Sequence, residues 1–367
     1  MNIPDICTWP GKGLPRQPFY RMETDMINRL VWMETDNTYP YRNLAMEEYM
    51  TLHVPRGTCI LYLWQNRHTV VIGKNQNCWR ECRVNFLEQE DGYLVRRLSG
   101  GGAVFHDLGN LNFTFIVGAG DYDVSRQLDV ILEAVRSLGI HAEKTGRNDI
   151  TVDGRKFSGN AFYRTGDGCY HHGTILIRAD KENMSRYLNV SKEKLASKGV
   201  TSVKSRVANL CEFKPDITLE EVKSALVEAF SKVYGQPAVR MEEGELPQPD
   251  IDARTEKFAS WQWKYGRKIP FEYEMEKRFP WGNIQIQFHV DEGMIQDVNV
   301  FSDAMDQEMI GMLAEQLKGC AYAEEDICRA VKAVGTDAFQ AGEYTGADEP
   351  QSCRIKEDIM TLVRESL

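Results

Sequence analysis

What this sequence of 367 residues lacks narrows its class before any motif is read. No stretch approaches the roughly 18 to 20 consecutive apolar residues of a membrane-spanning helix, so no membrane partner is expected. A basic excess is missing too. The 44 Lys and Arg against 54 Asp and Glu leave a formal net charge of -10. That is the wrong sign for a surface devoted to phosphate backbones, and no nucleic-acid partner is expected. The nine cysteines are odd in number and include no CxxC pair, which points to reduced thiols and not a disulfide framework. Cys78 and Cys82 are followed by no second Cys/His pair at ligand spacing, so a zinc site is not expected. Neither a GxxxxGK[ST] loop nor a GxGxxG turn between strand and helix occurs, and any nucleotide must be held by another architecture. The first 25 residues are Pro-rich and polar, without the apolar segment of a secretory signal. A cytoplasmic monomer is expected.

What is present is ordinary globular composition, 42% hydrophobic and 27% charged, at a length that favours two domains. The divisions expected are a tail over 1–25, a domain carrying the chemistry over 26–238, and an acidic, twice proline-interrupted linker over 239–255. A small α+β domain over 256–345 and a terminal segment over 346–367, read as one helix, follow. Leu30–Trp32 predicts a strand, and Asn43–His53 a helix with Asn43 as N-cap. Cys59–Trp64 and Thr69–Ile72 read as the two arms of a hairpin. Leu111–Ile116 alternates as a half-buried strand. Val124–Leu138 and Thr218–Tyr234 read as amphipathic helices, the second opened by a Thr218/Glu221 capping box. Phe271–Phe279 and Ile284–Val290 alternate as strands, and Gln307–Leu317 reads as a helix.

The segment Arg96–Asn110, RRLSGGGAVFHDLGN, is the most unusual. Three consecutive glycines strip every Cβ from the loop, so backbone N–H groups can close on an anion. The two preceding arginines offer planar forks suited to carboxylate or phosphate. A bare GGG run reads as a hairpin turn. With Ser99 on one side and His106–Asp107 on the other it reads as an anion cradle.

In Gly146–Ala161, Asp153–Gly154 signals a two-residue hairpin, after which Lys156 and Ser158 alternate onto one face. A lysine there can neutralise charge on phosphate or carboxylate oxygens; the plainer alternative is an exposed strand lysine. Asn148 and Asp149 are substrate or magnesium ligands, with Asp149 the metal candidate, or plain turn residues. His171 and His172 are strand neighbours facing opposite ways, so at most one reaches a site. Gly199–Leu210, GVTSVKSRVANL, suits either a loop that wraps phosphate or purine, with Ser205 and Asn209 as candidates, or an ordinary polar surface loop.

Together these segments resemble the lipoate–protein ligase family, close to the two-domain bacterial ligases of the A type, from about Met26 to about Val334. NLAMEE, VVIG followed by Gln76–Asn77, RKFSGNA, HHGTIL, Trp261–Gln–Trp263 and Phe279–Pro–Trp–Gly282 belong to the same pattern. The resemblance implies an α+β fold: a mixed-sheet catalytic domain related to biotin ligases, plus a small α+β C-terminal domain. It implies ATP contacts at Arg97, Gly102, Ala103, Val104 and Phe105. Lys156 would be the catalytic lysine touching both ATP and the lipoate carboxyl, with Ser99, Gly100 and Gly101 beside lipoate.

The implied chemistry uses ATP, magnesium and lipoate. Carboxylate attack on the α-phosphate expels pyrophosphate, and a partner's lysine then attacks the mixed anhydride. The implied partners are lipoyl domains of 2-oxoacid dehydrogenase acyltransferase subunits and the glycine-cleavage H protein. Trp64 and Val70–Ile72 are either tunnel walls for the acyl chain or core residues. Two rival classes stand beside this one: a cysteine-dependent acyltransferase, for which Cys169 is the sole candidate nucleophile, and a non-catalytic lipoate binder. The 239–255 linker is expected to act as a hinge for the small domain.

Overall fold

The computed structural model describes residues 27–145, 149–189, 207–335 and 351–367. Its first part runs β1 (Arg29–Glu34), α1 (Pro40–His53), β2 (Thr58–Trp64), β3 (Thr69–Ile72), α2 (Cys78–Glu81), α3 (Val84–Gln89), β4 (Tyr93–Arg96), β5 (Val104–His106), β6 (Asn110–Gly118) and α4 (Val124–Ser137). Then come β7 (Glu143–Thr145), β8 (Asp149–Val152), β9 (Arg155–Arg164), β10 (Gly168–Leu176), α5 (Lys181–Tyr187) and α6 (Leu219–Tyr234). The remainder is β11 (Ala238–Arg240), α7 (Gln248–Ala259), α8 (Trp261–Tyr265), β12 (Tyr273–Phe279), β13 (Gly282–Asp291), β14 (Met294–Ser302), α9 (Gln307–Leu317), α10 (Glu324–Ala333) and α11 (Gln351–Ser366). Among the described residues no helix is long and apolar enough to cross a membrane.

An eight-stranded mixed sheet, ordered β11-β1-β2-β6-β10-β9-β8-β7, forms the base. The apolar stripes of α4 and α6 pack on one face, over Leu61, Leu63, Phe113, Phe115 and Ile175. The Thr218/Glu221 capping box opens α6 and Gly235, at φ 73°, closes it, as the sequence predicts. On the other face lie α1 and a small sheet ordered β4-β3-β5. β6 is therefore buried along its whole length, polar residues included, where a half-buried strand was expected.

Two other local expectations change. Helix α1 starts at Pro40, whose fixed φ suits a first turn, and Asn43 lies inside it. The Asn43 amide donates to the Gln65 carbonyl (2.8 Å) and to Asn66 Oδ1 (3.0 Å), so it ties the helix to the loop after β2. β2 and β3 are not a hairpin, because β1 and β6 already occupy both edges of β2. β3 pairs instead with β4 in parallel and with β5 antiparallel.

The segment expected as a linker, 239–255, is folded onto the first domain. β11 pairs in parallel with β1, and α7 packs on α1 through Ile251 and Phe258. The buried Glu48 carboxylate takes Arg254 (2.9 Å) and Lys257 (2.6 Å). The prolines that obscured this helix stand at its N-terminal end, where no amide donor is needed.

The smaller domain is the antiparallel sheet β12-β13-β14 covered by α9, α10 and α11. It seats on the first domain through residues 302–307. The Ser302 amide donates to the Asn75 carbonyl (2.9 Å), Gly101 to Ala304 (3.1 Å), and Asn75 Nδ2 to Gln307 (2.7 Å). At this seam Asp306 caps α9 by accepting from the Met309 amide (3.0 Å).

Burial pushes the Asp306 carboxyl up to about 6, from 3.8 in the unfolded chain. The folded protein thus keeps this proton to higher pH than the unfolded one. Its contribution is fully present below the unfolded value and is lost as pH rises through about 6. Asp306→Asn preserves the cap and removes the ionisation. Urea melts should show wild-type stability at about pH 3.5 and a gain of up to roughly 3 kcal/mol at about pH 8.

Candidate active site

Residues paired directly across a sheet share a face. One such row crosses five strands: Asp149, Gly159, Thr174, Asn112 and Trp64. The next row on the same face, two residues or about 7 Å along the strands, holds Ala161, His172, Thr114 and Tyr62. This face lies beneath α1 and the glycine loop. His171 points the other way, where the Gln127 and Asn160 side chains hold it (3.1 and 2.8 Å) and burial lowers its pKa to about 3.

The glycine loop is pinned to this face by a buried line of hydrogen bonds. Arg97 Nε donates to Ser99 Oγ (3.0 Å), and Ser99 Oγ meets His172 Nε2 (2.8 Å). His172 Nδ1 meets Glu47 Oε1 (2.8 Å), which also accepts from Thr114 Oγ1 (2.7 Å). Trp64 Nε1 completes the set on Thr114 Oγ1 (3.0 Å). A carboxylate on Nδ1 fixes the proton there, leaving Nε2 to accept from the serine hydroxyl.

The rest of the Arg97 fork donates to the carbonyls of Gly100 (2.6 Å), Gly102 (2.9 Å) and Val71 (3.3 Å). Burial lowers its pKa only to about 10, so it stays charged at neutral pH. Arg96 is likewise buried and donates to the carbonyls of Gly73, Lys74, Gln76, Trp263 and Lys264. Both guanidiniums, expected to face an anion, are spent on the backbone that shapes the loop.

Lys156 lies on the site face, with Nζ 2.5 Å from Asp149 Oδ1. Ser158 does not share its face. Phe157 is an extra residue opposite the Ile150/Thr151 step, a β-bulge that turns Lys156 across the strand and leaves Ser158 facing the core. The Asp153–Gly154 turn takes positive φ at both residues, as the hairpin signal predicts. The Lys156 carbonyl accepts from the Ala208 amide (2.9 Å), so the end of the 200–209 loop returns beside the lysine.

Asn148, Ser205 and most of that loop lie outside the described residues. Asn209 spends its amide on both backbone groups of Ala179 (3.0 and 2.9 Å). Gly102, Ala103 and Val104 are half-buried at the loop's exit, whereas the Phe105 ring stacks on Tyr187 in the core. Trp64 and Val71 reach the site-side core; Val70 and Ile72 pack away from it. The described residues contain no group of three or more His, Cys, Asp or Glu able to hold a metal, and Asp149 is engaged by Lys156.

Glu47, Asn112, Thr114 and Thr174 are the site residues that motif reading missed. Asn110, Asn112 and Thr114 did carry a signal, polar at every second position of an apolar strand. Asn110 Oδ1, Asn112 Nδ2 and the nearby His106 Nε2 are buried without a hydrogen-bond partner among the described residues. His106 is neutral, its pKa lowered to about 3 by burial. Asn110 and Asn112 stand two residues apart on β6 and so face the same side of the sheet.

A pinned, Cβ-free loop above a polar strip, with a lysine one row away, is the geometry of a site for an activated acid. Residues 39–231 match the family profile of the lipoyl protein ligase A/B catalytic domain, and 268–346 match the bacterial lipoate protein ligase C-terminus. The chain belongs to the lipoyl protein ligase A/B family. P. falciparum LipL1, solved in complex with lipoate, is 29% identical with a TM-score of 0.76, over 90% of this chain and 99% of that one. A bipartite lipoate protein ligase from Thermoplasma acidophilum is 26% identical at a TM-score of 0.57, over 66% of this chain and 99% of that one. A lipoate-protein ligase A bound with ATP shares the fold, at 24% identity and a TM-score of 0.56 over 66% of this chain and 99% of that one.

Glu47→Ala would orphan two buried donors, Thr114 Oγ1 and His172 Nδ1. Each orphan costs roughly 1–3 kcal/mol. Denaturant melts should show that loss, and Glu47→Gln, which keeps an acceptor, should lose clearly less.

Proposed function

We propose that this protein is an ATP-dependent lipoate–protein ligase of the two-domain A type. It activates lipoate to lipoyl-AMP with release of pyrophosphate, then transfers the lipoyl group to a specific lysine of lipoyl domains. The observation that carries this reading is the Lys156 amine set on the same sheet face as the pinned glycine loop, in a chain of this family. Carboxylate and α-phosphate repel each other. A fixed cation between them offsets that repulsion without reorganising at the moment of reaction. Lys156 takes this role, and Arg97 and residues 102–105 shape the nucleotide side of the loop. Ser99, Gly100 and Gly101 border the lipoate carboxyl, and Trp64 and Val71 on the site-side core line the space for the acyl chain. Magnesium would enter as the counter-ion of the triphosphate.

The acyltransferase alternative needs a thiolate near a base. Cys169 is packed in the core on the sheet face opposite His172, and burial pushes its thiol up to about 11. Lipoate-dependent ATP–pyrophosphate exchange tests the proposal. Lys156→Ala should lose about 10²- to 10³-fold, and Cys169→Ala should keep most of the rate. Exchange at wild-type rate in folded Lys156→Ala would remove the lysine from its role. A trapped thioester at Cys169 would move the protein to the other class.

The acceptor lysine must reach the anhydride carbonyl past Ala304 and Met305, which press on Gly100 and Gly101. The small domain therefore lies near the site before activation and gives way once lipoyl-AMP has formed. Solution scattering of the free and lipoyl-AMP-bound protein should differ in interdomain geometry; identical curves would leave the small domain a fixed appendage.

A further inference from the structure

We infer that Gly159 is a positioning residue for the amine of Lys156, acting by having no side chain. This rests on the ligase reading above. Gly159 lies between Asp149 on β8 and Thr174 on β10, in the row that floors the site. A Cβ built there would stand 2.6 Å from Lys156 Nζ and 2.7 Å from its Cε, with Thr174 Oγ1 at 3.9 Å. The lysine's end thus lies in the space a side chain at 159 would fill. From there Nζ reaches Asp149 Oδ1 at 2.5 Å.

Two features of the sequence produce this. The extra residue Phe157 turns Lys156 onto the site face. Gly159 then lets the side chain lie flat along the sheet instead of standing away from it. The backbone at Gly159 is outside the left-handed region, so a side chain there meets no conformational barrier. The atoms it would meet belong to a flexible chain end, so the fold can absorb it. An added methyl group therefore moves the amine and little else. Asp149 and Gly159 together act on Lys156 from below, one attracting Nζ and the other leaving it room.

The test is Gly159→Ala, with Gly166→Ala as a matched control at a position where a Cβ meets nothing within 4 Å. Misplacement of a reacting group by about 1 Å costs on the order of 10²-fold. Gly159→Ala should lose exchange rate on that scale, mainly in kcat, while its thermal midpoint stays at or above wild type; Gly166→Ala should match wild type in both.

In a Lys156→Ala background, Gly159→Ala should add no further loss, because the residue it acts through is gone. A readout independent of activity is the labelling of Lys156 by acetic anhydride, followed by peptide mass spectrometry. An amine displaced from Asp149 toward solvent should label faster in Gly159→Ala. That result holds even if lipoate proves not to be the substrate, which separates this inference from the ligase reading. A wild-type exchange rate, an undiminished effect in the Lys156→Ala background, unchanged labelling, or loss of folded protein in Gly159→Ala would each overturn it.

Discussion

The site hangs on one buried line of hydrogen bonds with a cation at one end and a carboxylate at the other. Arg97 cannot leave without uncovering the carbonyls of Gly100 and Gly102, and Glu47 cannot leave without orphaning His172 and Thr114. A buried charge alone is costly, and a broken pair is costlier than none. The glycine loop has no side chains of its own to hold it, so its shape is borrowed from this line. Permissive backbone and rigid geometry coexist because the stiffness comes from the neighbours.

The second arginine extends the same logic outward. Arg96 gathers the loop after β3 and the carbonyls at the end of α8, and Trp263 Nε1 returns a bond to the Arg96 carbonyl (2.8 Å). Lys74 Nζ lies 3.8 Å from the Trp263 ring centre, its pKa pulled down to about 8 by burial and by neighbouring Lys257 and Arg96. Two adjacent residues, Arg96 at the end of β4 and Arg97 just after it, thus face apart. Arg97 serves the interior of the site, and Arg96 serves the element that leads to the second domain.

Much of this architecture was legible in the sequence where the signal was local. The Thr218 cap, the Asp153–Gly154 turn and helix α9 follow from side chains within a few residues of each other. Reading failed where partners came from afar. Asn43 looked like a cap because its amide's partners, Gln65 and Asn66, lie past the next strand. Residues 239–255 looked like a linker because parallel pairing with β1 leaves no trace in local periodicity. Nothing in RRLSGGG says that Arg97 donates to the loop's own carbonyls or that Arg96 reaches those of residues 73–76 and 263–264. Glu47 drew no attention by itself, because its partners His172 and Thr114 come from β10 and β6. The glycine motif and Lys156 stood out from composition and turn chemistry, but the bulge at Phe157 is a register event that no single strand can announce.

With β11 and α7 folded onto the first domain, the covalent joint between the two domains is short. α8 is clasped by Arg96 at its C-terminal end, and Arg267 is already bound to Asp297 and the Val298 carbonyl of the small domain. Between them stands Gly266 alone, at φ 76° and ψ -164°, a region essentially closed to residues with a Cβ. Such a joint behaves as a swivel and not as a tether. It has no slack to pay out, so while both clasps hold, the small domain can change its bearing on the large one but scarcely its distance from α8. Were the bonds at residues 302–307 to open, that face would turn away from the glycine loop yet stay within a fixed radius of α8.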